Sequence, residues 1–446
     1  MLASGIKRSS RKRSRELVQD PPIGNGYYKM ATIIEISPNG KMPLLFDQTR
    51  HAPLAPIRWD ERRARAMIRR IVQEPEAAFS ASNYWPLHPL DAEDGETTPA
   101  TPLYFGACGV IWALYHLKAA GAAALTRSYA PQVPVLLQLN RAWLAPENSV
   151  DFASYMMGDT GILLLDYWLD PREETAGQLE NLIRLNLDNP SREMMWGAPG
   201  TMLAALFLHE KTGESRWAEL FRASARKLWS QLLWSEKYLC SFWTQDMYGR
   251  RSSYLDGVHG FVATASPLIR GRALLTAREW YDWQLCISNT ILRSAAREGQ
   301  CVNWRNQLYL PEDKAKHMLL QFCHGAPGFI ICLADLPDTK LDQLLLAGGE
   351  AIWAAGPLAK GSNLCHGTAG NGYAFLKLFQ RTKDQVWLER ARAFAMHAIA
   401  QTENDATLYG QMRYSLWTGD PGFAIYLWDC LQGSATFPSL DIFFSG

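Results

Sequence analysis

Two cysteines and three histidines stand at equivalent places in a repeated pattern. Cys323-His324 and Cys365-His366 each run directly into a glycine, and so does His259. Thiolate and imidazole are the donors that a soft divalent cation such as Zn2+ takes, four at a time in a tetrahedron. A Cys-Cys-His set leaves one position open for a reactant. A Cys2His2 set that also uses His324 would be closed and structural. The spacing leaves both readings open; three protein ligands are favoured, because neighbouring side chains on a chain tend to point different ways. The other six cysteines (Cys108, Cys240, Cys286, Cys301, Cys332 and Cys430) read as small buried hydrophobes. Eight in a chain of 446 are too sparse for a disulfide scaffold.

These residues are gathered by a repeat. Two glycines three apart, followed by an apolar run, occur at Gly106/Gly109, Gly158/Gly161, Gly197/Gly200, Gly325/Gly328, Gly367/Gly370 and Gly419/Gly422; a further copy has Gly260 with Ala263 in the second place. The first glycines lie 52, 39, 63, 65, 42 and 52 residues apart. One helical hairpin with its loops takes about 40–60 residues. The runs after the glycines are apolar on all sides, as in Val110-Ile111-Trp112-Ala113-Leu114, and such helices are buried. Amphipathic stretches precede each pair, near 60–74, 130–143, 172–187, 214–234, 275–298, 340–355 and 384–401. Buried inner and amphipathic outer helices, seven of each, predict an all-α fold: a closed α/α barrel of seven helical hairpins. Equivalent loops then meet at one rim, where Val258-His259, Cys323-His324 and Cys365-His366 converge. Asp159 and Asp420, next to first glycines, are expected to cap the inner helices that follow.

Composition sets limits. Lys and Arg number 45 against 44 Asp and Glu, so a globally basic nucleic-acid binder is not expected. Hydrophobic residues make up 48%, enough for a large core, and no apolar run reaches the ~18–20 residues of a membrane span. Residues 1–58 differ from the rest, with a basic run at Lys7, Arg8, Arg11, Lys12, Arg13 and Arg15. They are expected to be a flexible N-terminal segment, and the barrel to occupy 59–446. The minority reading of the basic run is contact with phosphate or a membrane surface. No apolar stretch of a secretory signal follows it, which points to the cytoplasm.

The segments Phe322-Cys323-His324-Gly325-Ala326-Pro327-Gly328 and Leu364-Cys365-His366-Gly367-Thr368-Ala369-Gly370-Asn371-Gly372-Tyr373 resemble the lanthionine synthetase C-like family, over about residues 60–446. His324 brings the chain nearer the LanC-like branch than the bacterial cyclases, where an aromatic often stands there. The resemblance implies an α/α toroid, a double ring of seven inner and seven outer helices, with one zinc held by Cys323, Cys365 and His366. It implies that His259 transfers a proton and that Lys360 contacts substrate. Ala263 departs from the family pattern.

The chemistry implied is thioether formation. A free thiol titrates at about 8.5 and is mostly protonated at neutral pH; zinc would favour its thiolate. The thiolate of a peptide cysteine or of glutathione adds to the β-carbon of dehydroalanine or dehydrobutyrine, and His259 or His324 returns a proton. No dehydratase domain is expected in this length, so the dehydrated peptide or protein must come from elsewhere. Two rivals follow from the residues. A glycoside hydrolase needs two opposed carboxylates, which the rim pattern lacks. A non-catalytic, zinc-stabilised scaffold binding glutathione or a peptide would share the fold and ligands.

Overall fold

The computed structural model describes residues 45–91, 100–144, 151–310 and 318–445. Seven inner helices follow the glycine loops: α2 (Ala107–Ala119), α4 (Asp159–Leu169), α6 (Ala198–Thr212), α8 (Phe261–Arg270), α10 (Ala326–Leu333), α12 (Thr368–Thr382) and α14 (Asp420–Gln432). Seven outer helices alternate with them: α1 (Glu61–Ala78), α3 (Val133–Leu144), α5 (Glu173–Asn186), α7 (Ser215–Ser230), α9 (Ala277–Ser294), α11 (Asp342–Ala355) and α13 (Gln385–Tyr409). Each inner helix packs on the next, and α14 packs on α2, so the ring is closed. The expected α/α toroid is the fold.

The inner helices are buried because their sequences offer no polar face; Val110, Ile111, Trp112 and Ala113 are all inaccessible to solvent. The outer helices bury one stripe, as Trp217, Phe221, Ala225 and Leu228 do on α7. Two outer helices end earlier than their pattern suggested. Residues 231–253 and 295–304 instead form antiparallel hairpins: β1 (Leu233–Ser235) with β2 (Cys240–Phe242), β3 (Gln245–Met247) with β4 (Arg250–Ser252), and β5 (Ala295–Glu298) with β6 (Cys301–Trp304). They account for the two long spacings in the repeat.

The rim is a ring of backbone hydrogen bonds. Tyr104 N donates to Met156 O (3.0 Å), Met156 N to Met195 O (3.3 Å) and Met194 N to Val258 O (3.3 Å). Cys323 N donates to Cys365 O (3.1 Å), Cys365 N to Trp417 O (2.9 Å) and Trp417 N back to Tyr104 O (3.0 Å). Met194 apart, these are the residues two places before each first glycine. The second glycine lets the loop carbonyl six residues earlier lie on the helix: a Cβ on Gly370 would stand 1.9 Å from Leu364 O. Between Val258 and Cys323 the contact is of another kind. Gly257 packs there, and its Cβ would meet Gly328 Cα at 2.9 Å. Gly257 stands three places before Gly260, the place from which Tyr155 and Phe322 pack on Gly200 and Gly370.

The central hole is filled from below by residues 434–445. Tyr155 donates to Ser439 O (2.6 Å), Trp112 Nε1 to Phe443 O (2.9 Å) and Arg270 to Leu440 O (2.9 Å). Asp441 pairs with the buried Lys377 at 2.8 Å.

The expected flexible segment needs correction at its end. Residues 1–44, with the basic run, lie outside the described residues. Residues 45–58 are packed, not free. Ala52 N donates to Pro357 O (2.8 Å), Ala359 N to Arg50 O (2.9 Å) and Asn303 Nδ2 to Leu45 O (2.6 Å). Among the described residues no helix is long and apolar enough to cross a membrane.

Candidate active site at the rim of the ring

The loop before α10 brings Cys323 and the loop before α12 brings Cys365. Asn303 on β6 seats the first of these loops by accepting from Ala326 N (2.7 Å) and donating to Leu319 O (3.0 Å). The run after Cys365 is equally committed to packing. Asn371 Nδ2 donates to Leu320 O (3.0 Å), and a Cβ on Gly372 would strike the Tyr426 hydroxyl at 1.9 Å.

The two thiols are close enough for each to shift the other's titration. Tyr104 Oη donates to Cys365 Sγ (2.8 Å), and Gln321 Nε2 donates to Cys323 Sγ (2.9 Å). The interaction with Cys323 lowers the pKa of Cys365 against the opposing effect of burial, helped by Tyr104 and by the Lys360 charge. Cys323 moves the other way, through Cys365 and then burial. Cys365 is the more acidic of the two thiols.

His366 is buried, and its ring makes no hydrogen bond to another described residue; its backbone N–H is held by Asn363 Oδ1 (3.0 Å). Burial, then the charges of Lys360 and Arg413, push its pKa down to about 3, so the imidazole is neutral and its nitrogens are free to ligate. Two neighbouring thiols and an uncommitted neutral imidazole are a donor set suited to a soft four-coordinate cation. Among the described residues no three His, Cys, Asp or Glu side chains already surround one point. The assembled part is the thiol pair, with His366 next in the chain.

His259 and His324 are held differently. His259 Nδ1 donates to Glu193 Oε2 (2.8 Å), and His324 Nδ1 to Asp256 Oδ2 (2.7 Å). Burial lowers the pKa of His259, but the hydrogen bond and charge of Glu193 outweigh it and the net shift is upward. His324 also shifts upward, with burial opposed by Cys323 and Asp256. In each ring the Nδ1 bond leaves Nε2 for other partners. Lys360 is exposed beside the loop, and its charge is felt at both Cys365 and His366.

Glu193 and Asp256 were not singled out from the sequence. Both side chains are 0% exposed. Glu193 also accepts from Met195 N (2.9 Å) and Trp196 N (2.5 Å), and Asp256 from Val258 N (3.2 Å) and His259 N (2.8 Å). The rim thus does contain two carboxylates. They sit behind the histidines with their oxygens occupied, not opposed across a gap as glycoside hydrolysis requires. Their signal was a second column, four places before the first glycine: Pro102, Ser154, Glu193, Asp256, Gln321, Asn363 and Ser415. Asp159 and Asp420 do not cap helices as expected. Asp159 accepts from Arg141 Nε (2.6 Å) and Asn140 (3.3 Å) on α3. Asp420 accepts from Arg413 N (2.8 Å), and burial raises its pKa to about 6.

The profile of the lanthionine synthetase C-like proteins matches residues 58–442. The chain belongs to this family. A protein named glutathione S-transferase LANCL1, from Danio rerio, is 35% identical over 153 residues, 32% of this chain and 38% of that protein. LanC-like protein GCL1 from Arabidopsis thaliana is 34% identical over 142 residues, 30% of this chain and 31% of that one. The matched stretches span about a third of each relative. Among solved structures, unsaturated glucuronyl hydrolase from Bacillus sp. GL1 aligns with 85% of this chain and 98% of its own, at 12% identity and a TM-score of 0.40. So low a likeness says nothing about chemistry. Within the family, this chain's thiol pair and carboxylate-backed histidines are the features available for chemistry.

Proposed function

We propose that the protein joins a thiol to a dehydroalanine or dehydrobutyrine residue to make a thioether, and that Cys323, Cys365 and His366 hold one zinc ion. The bound metal would supply Lewis acidity that keeps a reactant thiol deprotonated near neutral pH. The observation that carries the reading is the placement of Cys323 and Cys365 on neighbouring loops joined by Cys323 N to Cys365 O, on the same rim as two imidazoles whose Nδ1 atoms are fixed by buried carboxylates. In the reaction the thiol loses its proton, the S–Cβ bond forms as the C=C π bond breaks, and Cα gains a proton. His259 Nε2 is the donor we assign, since Glu193 orients the ring and stabilises its protonated form. His324, oriented likewise by Asp256, is the second proton-transfer group.

Lys360 sets a positive charge beside His366, where Arg413 is already paired with Asp91. That charge suits a small anionic thiol, and glutathione is the candidate; the name of the Danio rerio relative agrees with it. A peptide cysteine in the same dehydrated chain would give a ring instead. The test incubates the zinc-loaded protein with glutathione and a dehydroalanine peptide and looks for a mass gain of one glutathione. Failure with zinc content verified would favour the non-catalytic scaffold.

A further inference from the structure

The residues immediately before the first glycines line the mouth, and they are not alike around the ring. Units four to six carry His259, His324 and His366, whereas units one to three carry Phe105, Met157 and Trp196. Beyond this apolar arc stands the β3–β4 hairpin. Its two-residue turn, Tyr248-Gly249, joins the paired Met247 and Arg250. Both turn residues have positive φ, 52° and 70°. Such a turn favours Asn-Gly, and a bulky side chain in the first place is strained. Strain of this sort persists where surrounding contacts enforce it, and it gathers at functional sites.

The contacts here place an aromatic ring over the mouth. Tyr248 Oη accepts from Trp196 Nε1 (2.8 Å), and its ring stands edge-on to His259 with centroids 6.3 Å apart. The residue is still 56% exposed. It borders the proton donor of unit four, whereas Lys360 stands on the loop of unit six, where its charge acts on His366. The mouth therefore has an apolar aromatic side and, at Lys360, a cationic side.

We propose that Tyr248 is a contact residue for the dehydrated peptide: with Phe105, Met157 and Trp196 it holds the apolar side chain next to the alkene, while the anionic thiol occupies the cationic side. This rests on the thioether reading for the identity of the peptide, and its test needs no turnover. Binding of a labelled dehydroalanine peptide with a flanking phenylalanine is measured by fluorescence anisotropy without thiol. Tyr248→Ala and Tyr248→Asn should each weaken it about tenfold, the scale of a lost aromatic contact. Affinity for glutathione should not change. Tyr248→Asn suits the turn and should melt no lower than the parent protein, which separates lost contact from lost fold. Unchanged peptide affinity in either variant, a parallel loss of glutathione affinity, or no peptide binding by the parent protein would overturn the inference. Tyr248-dependent peptide binding without thioether product would instead sink the proposed reaction and leave this inference standing.

Discussion

Glu193→Gln is the most informative single change at the rim. The side chain keeps its size, but one of its two oxygens becomes a donor. In the parent protein those oxygens accept from three N–H groups: Met195 N, Trp196 N and His259 Nδ1. An amide can serve only the groups on its carbonyl side, so at least one N–H loses its acceptor. Met195 N and His259 Nδ1 share Oε2 while Trp196 N has Oε1, so the imidazole either keeps a neutral carbonyl at the expense of Trp196 N or loses its acceptor together with Met195 N; in both cases the charge that assisted it is gone. A hydrogen bond to a charged group contributes about 1.5–3 kcal/mol, which corresponds to a fall of roughly 10- to 150-fold in kcat at 1.4 kcal/mol per decade. The pH profile adds a sign. In the parent protein the Glu193 bond and charge lift the His259 pKa despite burial. Without that charge, burial acts unopposed by Glu193, and the protonated donor is lost at lower pH. The alkaline limb of kcat should move toward acid. Zinc content, and KM for glutathione, should stay as they were. A variant that keeps kcat within about twofold would refute the role of the pair. So would an alkaline limb that stays in place.

Three further outcomes are expected. Cys323→Ala should lose zinc by metal analysis, and full zinc occupancy in that variant would remove Cys323 from the ligand set. Lys360→Ala should raise KM for glutathione about fivefold, the scale of one partly solvated charge contact, with kcat nearly unchanged; an equal rise for an uncharged thiol would show that the lysine acts otherwise. Burial pushes the pKa of His116, which stacks on Trp112 and bonds Ser445 at 2.6 Å, down to about 4. Its stabilising neutrality is full above 6.5 and is lost as pH falls toward 4, at a cost approaching about 3 kcal/mol. Urea midpoints of His116→Gln should therefore fall less steeply over that range than those of the parent protein, and parallel slopes would exclude His116 as the cause.

How much of this was legible depended on whether a requirement leaves the same letter in each repeat. The second glycine does, because only hydrogen fits where a loop carbonyl lies on the helix, as Leu364 O does at Gly370. That regularity located the inner helices, the rim and the Cys-His column. The column four places earlier was harder to see. Glu193, Asp256 and Asn363 accept there from their own loop's N–H groups, whereas Ser154 donates to Asp151 O and unit one has Pro102, so no single residue type marks the column. Asn363 accepts from His366 N and Asp256 from His259 N by the same geometry. Only Glu193 and Asp256 reach further, to a histidine. Residues 434–445 left no signal for another reason. They are irregular, and their partners lie on all sides of the ring, Trp112, Tyr155, Arg270 and Lys377 among them. The hairpins hid in the long spacings of 63 and 65 residues, which say that something is inserted but not what.

The closed ring explains how so few residues can define a site across a long stretch of chain. Backbone bonds such as Cys323 N to Cys365 O and Cys365 N to Trp417 O set neighbouring loops in register. Position then follows from place in the repeat, and chemistry from the residue type put there. A thiol in units five and six gives the pair; tyrosine and tryptophan at the same place in units one and seven give Tyr104, which donates to Cys365, and Trp417, which stacks on Tyr104 at 5.5 Å. The same logic applies to support. Each buried carboxylate caps its own loop and orients the histidine of the next unit, Glu193 to His259 and Asp256 to His324. Units three to five are thereby linked in one direction around the rim. A change at Asp256 should consequently disturb both histidines, through the backbone of His259 and the ring of His324, whereas a change at Glu193 should reach His259 alone.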